Sequence, residues 1–135
     1  MAFYLDTSAL VKILHEEPES PAFRSWIRNN TQHCYTSDLT RVELMRAAGR
    51  LGAEKRTKAR MILQALTLIR ISSQICDVAG TLEPVVLRSL DAIHLATALL
   101  LSDDLKAIVT YDRQLANSAQ ALGIPLIAPG SETWE

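Results

Sequence analysis

Short apolar runs alternate with longer segments of helical periodicity along the chain, and this alternation restricts the fold more than any other feature of the sequence. The predicted strands are residues 3–5, 34–36, 68–71 and 107–109, with an edge strand at 125–127. Strands that alternate with helices form βαβ units, in which neighbouring strands pair in parallel. The sequence therefore predicts an α/β fold built on a parallel sheet.

The predicted helices include one pair that shares a charged surface. Asp38 is the predicted cap of a helix that turns Val42 and other apolar residues inward and ends at Gly52. Residues 53–66 repeat the pattern, which favours a helical hairpin. Residues 90–101 are almost wholly apolar, which predicts a central helix.

Length and composition restrict the class of protein to which this chain can belong. At 135 residues and 48% hydrophobic, the chain is long enough for one core that needs no metal or cross-link to fold. Two cysteines are too few for a disulfide framework, and we find neither a leader nor an apolar stretch of bilayer length. We expect a single cytoplasmic domain over residues 1–135, without a membrane segment.

Charge is unevenly distributed along the chain. The net charge of −1 argues against a generic polyanion binder. However, seven of the 14 basic residues lie between residues 41 and 60, where only two acidic residues oppose them. Arg46, Arg50 and Lys55 belong to this basic strip. Its plain interpretation is a solvated helix surface, and the alternative is a surface for a polyanion.

Four carboxylates occupy positions that favour a site. Asp6 closes the first predicted strand and Asp112 follows the fourth, and ligands bind at the carboxyl ends of parallel strands. Asp91 and Glu43 lie among apolar residues of predicted helices, although carboxylates are almost never buried without a partner. The four positions together predict an acidic cluster.

Each carboxylate also has a structural interpretation of its own. The three aspartates suit helix caps, and Glu43 can pair with Arg46 or Arg50 along its helix. One shared site explains all four positions, whereas the structural interpretation needs a separate explanation for each carboxylate. Clustered carboxylates repel one another, and a hard divalent cation removes that repulsion.

Oxygen-only ligands suit Mg²⁺ or Mn²⁺, which can activate a water for in-line attack on a phosphodiester. Ser8 and Thr110 stand beside Asp6 and Asp112, and their hydroxyls can orient a carboxylate or a water. His94, three residues after Asp91, admits an Asp-x-x-His metal pair. Its apolar neighbours favour a packed, hydrogen-bonded histidine instead.

Four motifs, at residues 6–12 (DTSALVK), 40–44 (TRVEL), 90–98 (LDAIHLATA) and 109–113 (VTYDR), resemble the PIN domain. Among PIN domains they are most similar to the VapC-like toxins of toxin–antitoxin modules. The resemblance spans nearly the whole chain, with the motifs in order. Each motif alone is weak, and the four together are specific.

The resemblance implies a three-layer α/β/α sandwich on a mainly parallel sheet of four to five strands, and an endoribonuclease that depends on Mg²⁺ or Mn²⁺. It carries the acidic site to Asp6, Glu43, Asp91 and Asp112, with the three aspartates as metal ligands. It also implies a homodimer, an RNA substrate and an antitoxin that covers the site. Since the next acid after Asp112 is Glu132, we expect one firmly bound ion.

Two alternatives come from other functional classes. A phosphatase or phosphoacceptor domain would use Asp6 as its nucleophile, but Ser8 stands where one such family has a second aspartate. A non-catalytic module that binds RNA or an antitoxin would carry a vestigial acidic site. The presence of all four acids argues against that alternative.

Overall fold

The chain folds around a five-stranded sheet, which the computed structural model describes with its helices over residues 1–131. The strands are β1 (Ala2–Leu5), β2 (Cys34–Ser37), β3 (Thr67–Ile69), β4 (Leu105–Val109) and β5 (Leu126–Ile127). They lie in the order β3-β2-β1-β4-β5, and every neighbouring pair is parallel. The predicted parallel sheet is confirmed, with β5 at one edge.

Helices connect the strands. They are α1 (Thr7–Leu14), α2 (Ser20–Asn30), α3 (Asp38–Leu51), α4 (Ala53–Gln64), α5 (Ser73–Thr81), α6 (Ser89–Leu99) and α7 (Arg113–Ala121), with short 3-10 helices at Thr31–His33 and Ser102–Asp104. Within residues 1–131, no helix combines the length and the apolar character that a membrane crossing requires.

Two hydrophobic clusters cover opposite faces of the sheet. Successive strand residues point to opposite faces, so Phe3 and Leu5 pack with one cluster and Tyr4 with the other. The first cluster takes its helical residues from α1, α2, α3 and α4. The second takes them mainly from α6 and α7. This arrangement is the predicted three-layer α/β/α sandwich.

The strand order places a crevice at the carboxyl ends of β1 and β4. The chain moves outward from β1 through β2 to β3, and then crosses to the other side of β1 to form β4. In open parallel sheets, ligands bind where the strand order reverses in this way. Asp6 directly follows β1, and Thr110 directly follows β4.

The structure corrects three local expectations. Ser37, rather than Asp38, caps α3, and its hydroxyl oxygen accepts from the amide of Thr40 at 3.3 Å. Val42 is 57% exposed on the outer face of α3, so it is not part of the inward stripe. Leu90 is also exposed, because it lies in the first turn of α6 at the wall of the crevice.

Candidate active site

Asp6 is both a helix cap and a buried member of the acidic cluster. Its Oδ1 accepts from the Ser8 hydroxyl at 2.7 Å and from the Ala9 amide at 3.1 Å, which caps α1. Its Oδ2 accepts from the Thr110 hydroxyl at 2.7 Å. Capping and membership of a site are therefore compatible, although the sequence presented them as competing interpretations.

The environment of Asp6 disfavours a free negative charge. Its side chain is 3% exposed, and burial raises the pKa of its carboxyl, while the nearby His94 and the hydrogen bonds from Thr110 and Ser8 act in the opposite direction. A carboxylate in this state is stabilised by a cation close to it.

Asp112 stands two residues beyond β4 and caps α7. Its Oδ1 accepts from the amides of Gln114 and Leu115 at 2.8 and 3.1 Å. Its own amide donates to Thr110 Oγ1 at 3.0 Å, so Thr110 connects Asp112 to Asp6. The predicted supporting positions of Ser8 and Thr110 are thus seen as hydrogen bonds to the backbone and side chains around the two aspartates.

Asp91 lies in the first turn of α6 and pairs with an arginine of the preceding loop. Arg88 Nε donates to Asp91 Oδ2 at 2.6 Å, and Arg88 Nη2 lies 3.3 Å from Asp112 Oδ2. The Asp91 side chain is 8% exposed, whereas that of Arg88 is 45% exposed. One guanidinium therefore joins two of the four carboxylates at the mouth of the crevice.

Glu43 is held by residues from two other elements. Its Oε1 accepts from the hydroxyl of Thr7 at 2.5 Å and lies 3.1 Å from His94 Nε2. Partial burial raises the pKa of Glu43, but the hydrogen bonds from His94 and Thr7 outweigh burial and hold this pKa below its ordinary value. Glu43 makes no ion pair with Arg46 or Arg50 within the described residues.

His94 is packed and hydrogen-bonded, as its apolar neighbours favoured. Its side chain is buried, and Nδ1 lies 2.8 Å from the hydroxyl of Tyr4, which in turn donates to Ser37 Oγ at 2.9 Å. A chain of hydrogen bonds therefore runs from Ser37, which caps α3, through Tyr4 and His94 to Glu43. His94 and Thr7 thus contact the same oxygen of Glu43, Oε1.

The four predicted acids come together in one pocket of about 290 Å³. Its lining residues are Asp6, Thr7, Ser8, Glu43, Arg88, Ser89, Leu90, Asp91, His94 and Asp112. Thr7 and Arg88 were not among the residues predicted for this site. The only available signals were the position of Thr7 next to Asp6 and the three-residue spacing from Arg88 to Asp91.

The donor set fits a hard divalent cation by its chemistry, since four carboxylates share one pocket whose innermost member is a buried acid. Over residues 1–131, however, no three His, Cys, Asp or Glu side chains form a ready-made metal centre. The Oδ2 atoms of Asp91 and Asp112 are both engaged by Arg88. Glu132, the next acid in the sequence, lies outside the described residues.

A basic groove leads away from the acidic pocket. The adjoining concavity shares Thr7, Ser8 and Glu43 with that pocket and adds Arg46 and Arg50. The next concavity is lined by both arginines together with Arg56 and Arg60. We call the four arginines, Arg46, Arg50, Arg56 and Arg60, the basic groove.

The arginines of the basic groove are all exposed, and none makes an ion pair with another described residue. Lys55, which the sequence grouped with Arg46 and Arg50, is half-buried and does not line the groove. Gly49 explains how Arg56 reaches α3, because a Cβ at Gly49 would lie 2.9 Å from Arg56 Nη2.

Comparisons with known proteins agree with this geometry. A sequence model of the PIN domain matches residues 3–122. Ribonuclease VapC46 of Mycobacterium tuberculosis is 46% identical, over 95% of this chain and 98% of its own. Ribonuclease VapC47 of the same species is 40% identical, over 95% and 97%. A toxin–antitoxin complex from Klebsiella pneumoniae contains a chain with a TM-score of 0.72 and 25% identity, with 96% of this chain and 98% of that chain covered.

Proposed function

Because this chain belongs to the PIN-domain family, and to its VapC ribonucleases over nearly its full length, we propose that the acidic pocket hydrolyses RNA phosphodiester bonds. The observation that carries the proposal is the convergence of Asp6, Glu43, Asp91 and Asp112 on one pocket at the carboxyl edge of the sheet. The chain is accordingly an endoribonuclease of the toxin class. Family membership does not favour the phosphoacceptor alternative, and the ribonuclease relatives do not favour a vestigial site.

VapC ribonucleases of the PIN-domain family are generally metal-dependent. We infer that Asp6, Asp91 and Asp112 hold one Mg²⁺ or Mn²⁺ ion, since oxygen donors suit both. When bound, such an ion supplies an activated water and stabilises negative charge on the phosphate and the leaving oxygen.

The side chains around the pocket position the reacting groups. Ser8 and Thr110 fix both carboxylate oxygens of Asp6, so this ligand is oriented before substrate arrives. Thr7 and His94 both hold Oε1 of Glu43, and the lowered pKa of Glu43 keeps it ionised. Because a low pKa makes a weak base, Glu43 is suited to orient the attacking water by a hydrogen bond.

The basic groove is the proposed path of the RNA backbone. Its arginines are exposed and without ion-pair partners among residues 1–131, so their charge is available to phosphates. Because Glu43, Arg46 and Arg50 line one concavity, a strand bound there reaches the acidic pocket directly. Contact with a polyanion, the alternative interpretation of the basic strip, is thus proposed for Arg46 and Arg50, and Arg56 and Arg60 join them.

We infer that the natural partner is an antitoxin protein, since the structural relative with 25% identity comes from a toxin–antitoxin complex. The exposed pocket and groove are the surfaces that an inhibitor would cover. The homodimer implied by the sequence resemblance stays a prediction, which light scattering of the purified protein would test.

The metal and the nucleophile can be tested together with purified protein and RNA. We expect cleavage in Mg²⁺ or Mn²⁺, loss of cleavage in excess EDTA, and recovery when the ion is restored. Because water rather than the ribose 2′-hydroxyl is the proposed nucleophile, the products should contain no 2′,3′-cyclic phosphate. Cleavage that persists in EDTA, or cyclic phosphate ends, would contradict the proposal.

A further inference from the structure

Arg88 is the cation that this chain itself places on the acidic pocket. Its Nε and Nη2 both lie 2.6 Å from Asp91 Oδ2, and its Nη2 lies 3.3 Å from Asp112 Oδ2. Asp112 Oδ1 is already committed to the amides that begin α7. Arg88 therefore holds the oxygen of Asp112 that is free of capping, together with one oxygen of the buried Asp91.

The same two carboxylates are proposed ligands of the metal ion. Asp91 and Asp112 contribute two of the three proposed metal ligands, and a guanidinium that holds the Oδ2 atom of each repels a divalent cation at the same carboxylates.

The ion pairs of Arg88 are suited to exchange. The side chain of Arg88 is 45% exposed, and ion pairs with an exposed partner contribute little to stability because water and salt screen them. Arg88 is the N-cap residue of α6, and its carbonyl accepts from the amide of Ala92 at 2.9 Å, so the exchange involves its side chain and not its backbone. Asp91, by contrast, is buried and needs a positive partner in any state of the protein.

We propose that Arg88 is an internal competitor of the catalytic metal, which pairs with Asp91 and Asp112 when the metal is absent and leaves them when the metal binds. This inference rests on the proposed function. It adds that metal affinity is limited by a residue of the chain that is not itself a ligand.

Calorimetric titration of the RNA-free protein with MnCl₂ tests the competition. Arg88→Gln should bind Mn²⁺ roughly fivefold more tightly than the original protein, because the partly exposed guanidinium no longer opposes the metal. Arg88→Lys, which keeps the charge, should remain close to the original affinity. Arg41→Gln is the matched control, since Arg41 pairs with Asp38 at the same three-residue spacing, 3.0 Å apart, and does not line the pocket.

The sign of the effect separates competition from a structural role. If Arg88 only shaped the pocket, its removal would weaken Mn²⁺ binding, so equal or weaker binding by Arg88→Gln would overturn the inference and leave the proposed function intact. Absence of saturable binding in every variant would overturn both.

A measurement on the unsubstituted protein covers the case in which Arg88→Gln does not fold. In a titration with diamagnetic Mg²⁺, the Arg88 Nε–Hε resonance should shift and saturate with the fraction of metal bound, while the Arg41 resonance stays in place. An Arg88 resonance that does not move while Mg²⁺ binds would overturn the inference.

Discussion

At the scale of one residue, Asp6 is held in a position that suits cation binding and lowers the stability of the metal-free protein. The carboxylate is buried and has a raised pKa, yet it accepts three hydrogen bonds that hold it in position. Without a cation, its ionised form therefore opposes folding at neutral pH. The same burial makes it a strong ligand once a cation is present.

Substitution of Asp6 by Asn should stabilise the metal-free protein. Folding raises the pKa of the Asp6 carboxyl, so its ionisation lowers the free energy of unfolding. This penalty is complete at pH values above the folded-state pKa. This penalty disappears as the pH falls from the folded-state pKa to the unfolded-state pKa. We expect Asp6→Asn to gain about 1 kcal/mol in EDTA at pH 7, or roughly 3 °C in Tm.

The gain should vanish in acid, where Asp6 is already protonated. Thermal unfolding of both proteins in EDTA across a pH series measures the difference. A lower Tm for Asp6→Asn at pH 7 would show instead that the hydrogen bonds to the carboxylate outweigh its buried charge.

Residue types and spacing were sufficient to predict the four acids and the two supporting hydroxyls, because each stands at a strand end or in an apolar segment. They could not predict which residues would face these acids. Arg88 reaches Asp112 across 24 positions of the chain, and His94 reaches Glu43 across 51. Such contacts depend on how the elements pack.

At the scale of elements, α3 and α4 form the predicted hairpin and carry the basic groove. Helical periodicity was enough to predict both helices and the boundary between them at Gly52, whose φ of 124° favours glycine. Periodicity could not separate Lys55 from Arg56, because adjacent helical positions differ in direction by about 100° and the rotation of α4 is set by packing. The sequence therefore predicted a basic strip, of which Arg46 and Arg50 line the groove and Lys55 does not.

RNA binding gives a test of the groove. In the Asp6→Asn background, which prevents cleavage, Arg46→Ala with Arg50→Ala should weaken binding to all RNAs. If each arginine contacts one phosphate of a single strand, the pair should reduce the slope of log K against log salt by about 1.4.

Lys55→Ala provides the matched control, because this residue lies on α4 outside the groove. It should leave both the affinity and the slope unchanged. An equal loss in the Lys55 variant would indicate a diffuse charge effect, and an unchanged slope in the double variant would remove the two arginines from the path of the RNA.

The whole molecule separates its charge into an acidic pocket and a basic groove that share a border. The net charge of −1 hides this separation, since the pocket gathers four carboxylates while four exposed arginines of α3 and α4 line the groove. The parallel sheet creates the separation, because its reversal between β1 and β4 brings distant strand ends together. RNA bound in the groove therefore lies next to the pocket, where the negative charge of the attacked phosphate has to be neutralised.

Cleavage of RNA by matched preparations of the original protein and Asp6→Asn tests the central claim most directly. Under single-turnover conditions in Mg²⁺, with RNA binding measured in parallel, the account predicts a loss of cleavage of at least about 100-fold with little loss of RNA affinity. Cleavage by Asp6→Asn at the original rate would contradict the assignment of the acidic pocket as the active site.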